Sequence, residues 1–151
     1  SYENALIKAK HAATISGYPA IADDSGLCVD FLNGAPGIKS ARYAGENSSD
    51  AENNLKLLES LENETQRNAA FVACLVFFDP NSNESPLSAE GRLKGEIAGD
   101  SKGKDGFGYD PIFYIPEETK PHAEIGKDYK NKNSHRAKAT KILLNKLLKE
   151  K

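Results

Sequence analysis

The sequence predicts one α/β domain, and three observations carry that prediction. Residues 70–78, Ala70-Phe71-Val72-Ala73-Cys74-Leu75-Val76-Phe77-Phe78, are almost continuously apolar and rich in β-branched and aromatic side chains, which marks a central strand buried on both faces. Residues 2–16 place apolar groups at Tyr2, Ala5, Leu6, Ala9, Ala12 and Ala13, the spacing of an amphipathic helix. Residues from about Ser134, a good N-cap, repeat that spacing with Ala139, Ile142, Leu143, Leu147 and Leu148. With 151 residues and 38% apolar content, the chain can bury a core of its own and needs no linker.

The first helix stops at Gly17, with Pro19 beyond it. Lys8 lies just beside its apolar stripe, where a lysine is either solvated or turned to a ligand. Ala22-Asp23-Asp24-Ser25-Gly26 then reads as a turn between two short strands. Neighbouring side chains on extended backbone point to opposite faces, so only one of the two aspartates can aim fully at any one ligand. Two carboxylates and a hydroxyl suit Mg²⁺, which takes one or two protein carboxylates and completes its shell with water and phosphate oxygens. An Asx turn with Gly26 at positive φ accounts for the same five residues.

Asn33-Gly34-Ala35-Pro36-Gly37 is dense turn chemistry, followed by an irregular or short helical segment over 38–43. Ser49-Asp50-Ala51-Glu52 matches a capping box, and Leu55, Leu58 and Leu61 give the helix it opens a narrow core-facing stripe. After the central strand, 79–83 turns the chain and 87–98 alternates as its antiparallel partner. The glycine-rich stretch to Asp110 contains neither GxGxxG nor GxxxxGK[ST]. Gly106 and Gly108 around Phe107 would let backbone approach a flat ligand while the ring offers a stacking face; a plain β-turn is the alternative. Residues 112–115 form a last strand, stopped by Pro116.

A net charge of −2 and a pI near 5.9 argue against nucleic acid or an anionic membrane as the main partner. Cys28 and Cys74 sit in strand-like runs without a CxxC partner, which predicts buried, reduced thiols and a reducing cytosol. The sequence contains no apolar run of about 18 residues and no leader, so neither a membrane span nor a signal peptide is expected. It begins at Ser1, almost directly with a helix, and has no methionine, as expected of a chain lacking its natural N-terminus. His135 and Arg136 open the last helix, where the macrodipole is already positive, a placement disfavoured by about 0.3–1 kcal/mol for a charged group. An anionic partner would remove that penalty; solvation is the alternative. Lys127, Lys130 and Lys132 thicken the same basic patch. Carboxylates, glycine-aromatic loop and basic patch together describe a nucleotide site.

Five ordered motifs resemble the inosine triphosphate pyrophosphatase family: E-N-A-L-I-K-A-K (Glu3 to Lys10), A-D-D-S-G-L (Ala22 to Leu27), G-A-P-G-I-K-S-A-R-Y (Gly34 to Tyr43), G-F-G-Y-D-P-I-F (Gly106 to Phe113) and S-H-R-A-K-A (Ser134 to Ala139). The resemblance spans essentially the whole chain and implies Mg²⁺-dependent hydrolysis of ITP, dITP or XTP to the monophosphate and pyrophosphate. It implies Asp24 as metal ligand and general base, with Asp23 assisting at the metal. Ser25 and Lys8 would contact the triphosphate; Phe107, Gly108, Tyr109, Asp110, Lys130, His135 and Arg136 would hold the nucleoside. The implied fold is an elongated mixed sheet flanked by helices, with two lobes around a central nucleotide cleft, in a cytoplasmic homodimer. Family members carry a T/S-G-N-x-x-K phosphate loop upstream of the segment matching Glu3. That loop is not in this sequence, so residues 1–151 are expected to be a single, N-terminally truncated domain. Two other activities fit the same residues: nucleotide binding without turnover, and pyrophosphate release from another nucleotide.

Overall fold

The computed structural model describes residues 1–100, 108–116, 120–121 and 134–149. Helix α1 (Tyr2–Ser16) is followed by β1 (Ala20–Val29), a short 3₁₀ segment at Asp30–Leu32 and another at Gly37–Arg42. Helix α2 (Asp50–Ser60), strands β2 (Asn68–Phe78), β3 (Leu87–Ile97), β4 (Phe113–Ile115) and β5 (Lys120–Pro121), and helix α3 (His135–Lys149) complete the order. The strands form one five-stranded sheet in sequence order. β4 runs antiparallel to β3, with Ile97 opposite Phe113, and β5 antiparallel to β4, with Tyr114 opposite Pro121. The α/β expectation holds, and β3 is the sheet neighbour of β2 that its alternation predicted.

The chain divides into two compact units, the first comprising residues 1–25, 72–92 and 131–151, the second 26–71 and 93–130. In the first unit β2 is buried on both faces. Cys74 and Val76 pack with Ala5 and Ala9 of α1, while Ala73 and Leu75 pack with Ala139 and Leu143 of α3. This two-sided burial is why the segment has no polar alternation. Both helices meet the strand along i, i+4 rows rather than broad stripes: Ala5, Ala9 and Ala13 in α1, and Ala139 and Leu143 in α3. Tyr2, Ile142 and Leu148, expected in the core, are exposed.

Gly91 of β3 explains how α3 comes so close. A Cβ there would lie 2.1 Å from the His135 carbonyl oxygen and 2.6 Å from the Ala139 nitrogen. The helix backbone therefore rests directly on the strand.

The core of the second unit gathers Leu27, Val29, Phe71, Leu93, Ile97 and Phe113 with Leu57 of α2 and Leu61 at its C-cap. The rings of Phe71 and Phe113 pack tilted by 57° with centroids 4.5 Å apart, an arrangement contributing about 0.5–1.5 kcal/mol beyond their buried area. The expected stripe of α2 is corrected: Leu57 and Leu61 are buried and Leu58 partly so, but Leu55 is 57% exposed. Asn53 and Asn54 take the remaining inward places. Arg67 closes the C-terminal end of α2, its guanidinium donating to the carbonyls of Leu61 (2.9 Å), Glu64 (3.1 Å), Ile97 (2.7 Å) and Ala98 (2.7 Å).

The capping box forms in full. Ser49 Oγ accepts the Glu52 N–H at 3.1 Å, and Glu52 Oε1 accepts the Ser49 N–H at 2.9 Å. The second bond holds the Glu52 carboxyl below its ordinary 4.5. A lowered carboxylate pKa stabilises the fold above the unfolded value, and that contribution disappears as pH falls through the lowered one. Ser49→Ala should cost about 0.5–2 kcal/mol in chemical denaturation at pH 7.

The largest correction concerns residues 22–26. They form no turn: β1 runs unbroken from Ala20 to Val29. Gly26 is not a positive-φ glycine; a Cβ there would sit 2.4 Å from the Gly37 carbonyl oxygen, so the residue is needed for close backbone approach. Neither cysteine forms a disulfide; Cys74 is buried and Cys28 half-buried. Burial pushes the Cys74 thiol up, which keeps it protonated and unreactive. Among the described residues no helix is long and apolar enough to cross a membrane.

Candidate active site

Because β1 is extended through the aspartates, their side chains separate by face. Ala22 packs with α1 in the first unit, and Asp24, two residues on, points the same way. Asp24 lies 3.7 Å from Lys8 Nζ. Its side chain is only 17% exposed, so this carboxylate is drawn largely out of water beside the Lys8 ammonium. Lys8 Nζ also donates to the Asp23 carbonyl at 3.2 Å. The lysine beside the apolar stripe of α1 is thus anchored to the aspartate pair.

Asp23 serves the other face. Its Oδ2 accepts Arg136 Nε at 3.0 Å and the Ser25 hydroxyl at 3.5 Å. Ser25 and Asp23 are an i, i+2 pair on one side of the strand. Arg136 and the half-buried His135 come from the first turn of α3, which Ser134 caps by accepting the Ala137 N–H at 3.0 Å. The basic first turn of α3 therefore has an anion after all, the carboxylate of Asp23. Among the described residues no other group takes the Nη donors of Arg136.

Asp23 and Asp24, expected to share a metal, are turned to different partners. Among the described residues no three of the His, Cys, Asp and Glu side chains converge into a cage for a metal ion. A Mg²⁺ ion needs no such cage when substrate phosphates supply its other oxygens. Asp24 fits that pattern, a largely buried carboxylate 3.7 Å from the Lys8 ammonium.

In the second unit, Tyr109 is a core residue and not an open reader. Its side chain is 5% exposed and its hydroxyl donates to the Ser40 carbonyl at 2.6 Å. Burial, with Tyr43 and Asp50 nearby, pushes its phenol far up, so it remains a neutral donor. Gly108 stands at φ 62° and Asp110 is half-buried at the head of a 3₁₀ turn, Asp110–Ile112. Phe107 and Lys130, with Lys127 and Lys132, lie outside the described residues.

Ser40 went unremarked in the sequence although it lies in a quoted motif. Its hydroxyl accepts the Leu27 N–H at 2.9 Å and donates to the Gly37 carbonyl at 2.6 Å. It thereby joins three of the five motif segments: the strand after Gly26, the turn at Gly37 and, through its carbonyl, Tyr109.

Residues 1–146 match the Ham1 family. A dITP/XTP pyrophosphatase of Haemophilus influenzae is 52% identical over 96% of this chain and 75% of its own length. Another from Neisseria meningitidis serogroup B is 51% identical over 96% of this chain and 73% of its own. The solved structure of the Staphylococcus aureus Ham1 protein aligns with a TM-score of 0.92 at 47% identity, covering 99% of this chain and 77% of that one.

Proposed function

This chain belongs to the Ham1 family, and from that membership we propose that it is a nucleoside-triphosphate pyrophosphatase, hydrolysing ITP, dITP and XTP to the monophosphate and pyrophosphate and so cleansing the nucleotide pool. The observation that carries the reading is Asp24, largely buried and beside Lys8, inside an A-D-D-S-G-L strand. A carboxylate placed there can take a proton from water, and an ammonium placed there can neutralise phosphate oxygens.

The step that follows is an in-line displacement. Water oxygen bonds to the α-phosphorus, the bond from that phosphorus to the α–β bridging oxygen breaks, and Asp24 receives the water proton. Lys8 balances charge on the triphosphate, with Ser25 as a hydroxyl donor to it. Bound Mg²⁺, held by Asp24, would supply further positive charge to the phosphate oxygens. Asp23 is better placed to hold Arg136 than to share the ion. We read residues 1–151 as belonging to a single domain, in a protein that works as a cytoplasmic homodimer.

Arg136, with His135, Phe107, Lys130 and the Gly108–Asp110 segment, would bind the nucleoside. A guanidinium is always a donor, so it suits the 6-oxygen of hypoxanthine or xanthine and opposes the 6-amine of adenine. Arg136→Ala should therefore lose most of the ITP-over-ATP preference in kcat/KM, a preference that buried donors can raise to about 10⁴–10⁵. A preference left intact would move discrimination to backbone groups of 106–110. Turnover in ¹⁸O-labelled water tests the reaction itself: label in the monophosphate supports attack at the α-phosphorus, and label in pyrophosphate rules it out.

A further inference from the structure

Two residues of α2 grip the segment after Phe107 from both sides of one glycine. Asp50 Oδ2 accepts the Gly108 N–H at 2.9 Å, and Asn54 Nδ2 donates to the Gly108 carbonyl at 3.2 Å. Asp50 and Asn54 are one helical turn apart, so both project from the same face of the helix. The amide held by Asp50 is the peptide shared by Phe107 and Gly108, and the carbonyl held by Asn54 belongs to the next peptide. Both peptide planes around the left-handed Gly108 (φ 62°) are thus fixed by side chains that come from α2, far away in sequence.

The arrangement costs something that packing alone does not explain. Asn54 is 7% exposed, and among the described residues its buried Oδ1 has no hydrogen-bond partner. Leaving a buried polar atom unpaired costs about 1–3 kcal/mol, which a leucine at this helix position would avoid. Its neighbour Asn53 uses both ends of its amide, accepting from Ala44 N–H (2.8 Å) and Ser48 Oγ (2.7 Å) and donating to the Ala41 carbonyl (3.1 Å). Among the described residues Asn54 has the Gly108 carbonyl alone. The Ser40 carbonyl adds a third anchor through Tyr109, so two successive residues of this segment are tied down.

We infer that Asp50 and Asn54 are positioning residues for purine recognition, acting by setting the two peptides around Gly108. This deepens the function proposed above and rests on it. A binding group misplaced by about 1 Å can cost about 100-fold, so a side chain that touches no nucleotide can still set selectivity.

The test compares Asp50→Ala, Asn54→Ala and the conservative Asp50→Asn, whose amide oxygen can still accept the Gly108 N–H. Steady-state pyrophosphate release from ITP and ATP is measured with hydrogen exchange at the Gly108 amide. Asp50→Ala should expose that amide to exchange. Both alanine variants should raise KM for ITP more than they lower kcat, and shrink the ITP-over-ATP ratio by about 10–100-fold. Asp50→Asn should restore most of both. Alanine variants that lose thermal stability but keep the parental ratio and KM would overturn the inference and leave Asp50 and Asn54 with a purely structural role. A parent releasing no pyrophosphate from ITP would overturn the function reading instead. In that case Gly108 exchange unchanged by Asp50→Ala would still refute the grip itself.

Discussion

Asp24→Asn should fold like the parent and lose turnover by about 10²–10⁴-fold or more. The amide has the shape of the carboxylate but cannot take a proton from water, and it binds a cation without negative charge. Stability should change little. Lys8, the side chain paired with Asp24 at 3.7 Å, is 59% exposed, and ion pairs open to solvent contribute about 0–1 kcal/mol. A large catalytic loss with a near-parental Tm therefore separates a chemical role from a structural one. A folded Asp24→Asn enzyme turning over at the parental rate would remove Asp24 from the chemistry.

Gly91→Ala should have the largest effect on stability among single-methyl changes. The new Cβ would press on the His135 carbonyl at 2.1 Å and the Ala139 nitrogen at 2.6 Å, and backbone cannot rotate aside as a side chain can. Either α3 moves off the sheet or β3 bends. Overpacking of this kind costs about 1–3 kcal/mol, a fall in Tm of about 2–12 °C for a chain of this size. Arg136 rides on the displaced turn, so its bond to Asp23 should weaken and KM for ITP should rise together with the loss of stability. Thermal melts and ITP kinetics on the same preparation check both. An unchanged Tm would mean that α3 is not seated on Gly91.

How much of this was readable from the sequence depended on whether one local signal dominated. Strand β2 was clear because burial on both faces leaves an uninterrupted apolar run. The caps at Ser49 and Ser134 were clear because a cap is a contact within three residues. Residues 22–26 misled because Asp, Asp, Ser and Gly are also the residues of turns. Only the Gly37 carbonyl, brought against Gly26 by the fold, shows that the glycine serves close approach. The stripe of α2 was misplaced because Leu55, Leu57, Leu58 and Leu61 permit more than one face, and buried Asn53 and Asn54 decide between them. The Asp23–Arg136 pair spans 113 residues and the Asp50–Gly108 bond 58, separations at which no pattern in a single sequence points from one partner to the other. The motifs proposed Asp24, Lys8 and Arg136 as site residues, and the pairing of Lys8 with Asp24 and of Arg136 with Asp23 came from the structure.

The central claim is the reaction and its choice of base. It is tested most directly by measuring kcat/KM for ITP and XTP against ATP with Mg²⁺, quantifying nucleoside monophosphate and pyrophosphate as products. The expected result is one pyrophosphate per monophosphate, with ITP and XTP preferred over ATP by at least about 100-fold. Release of orthophosphate, or ATP consumed as efficiently as ITP, would contradict it.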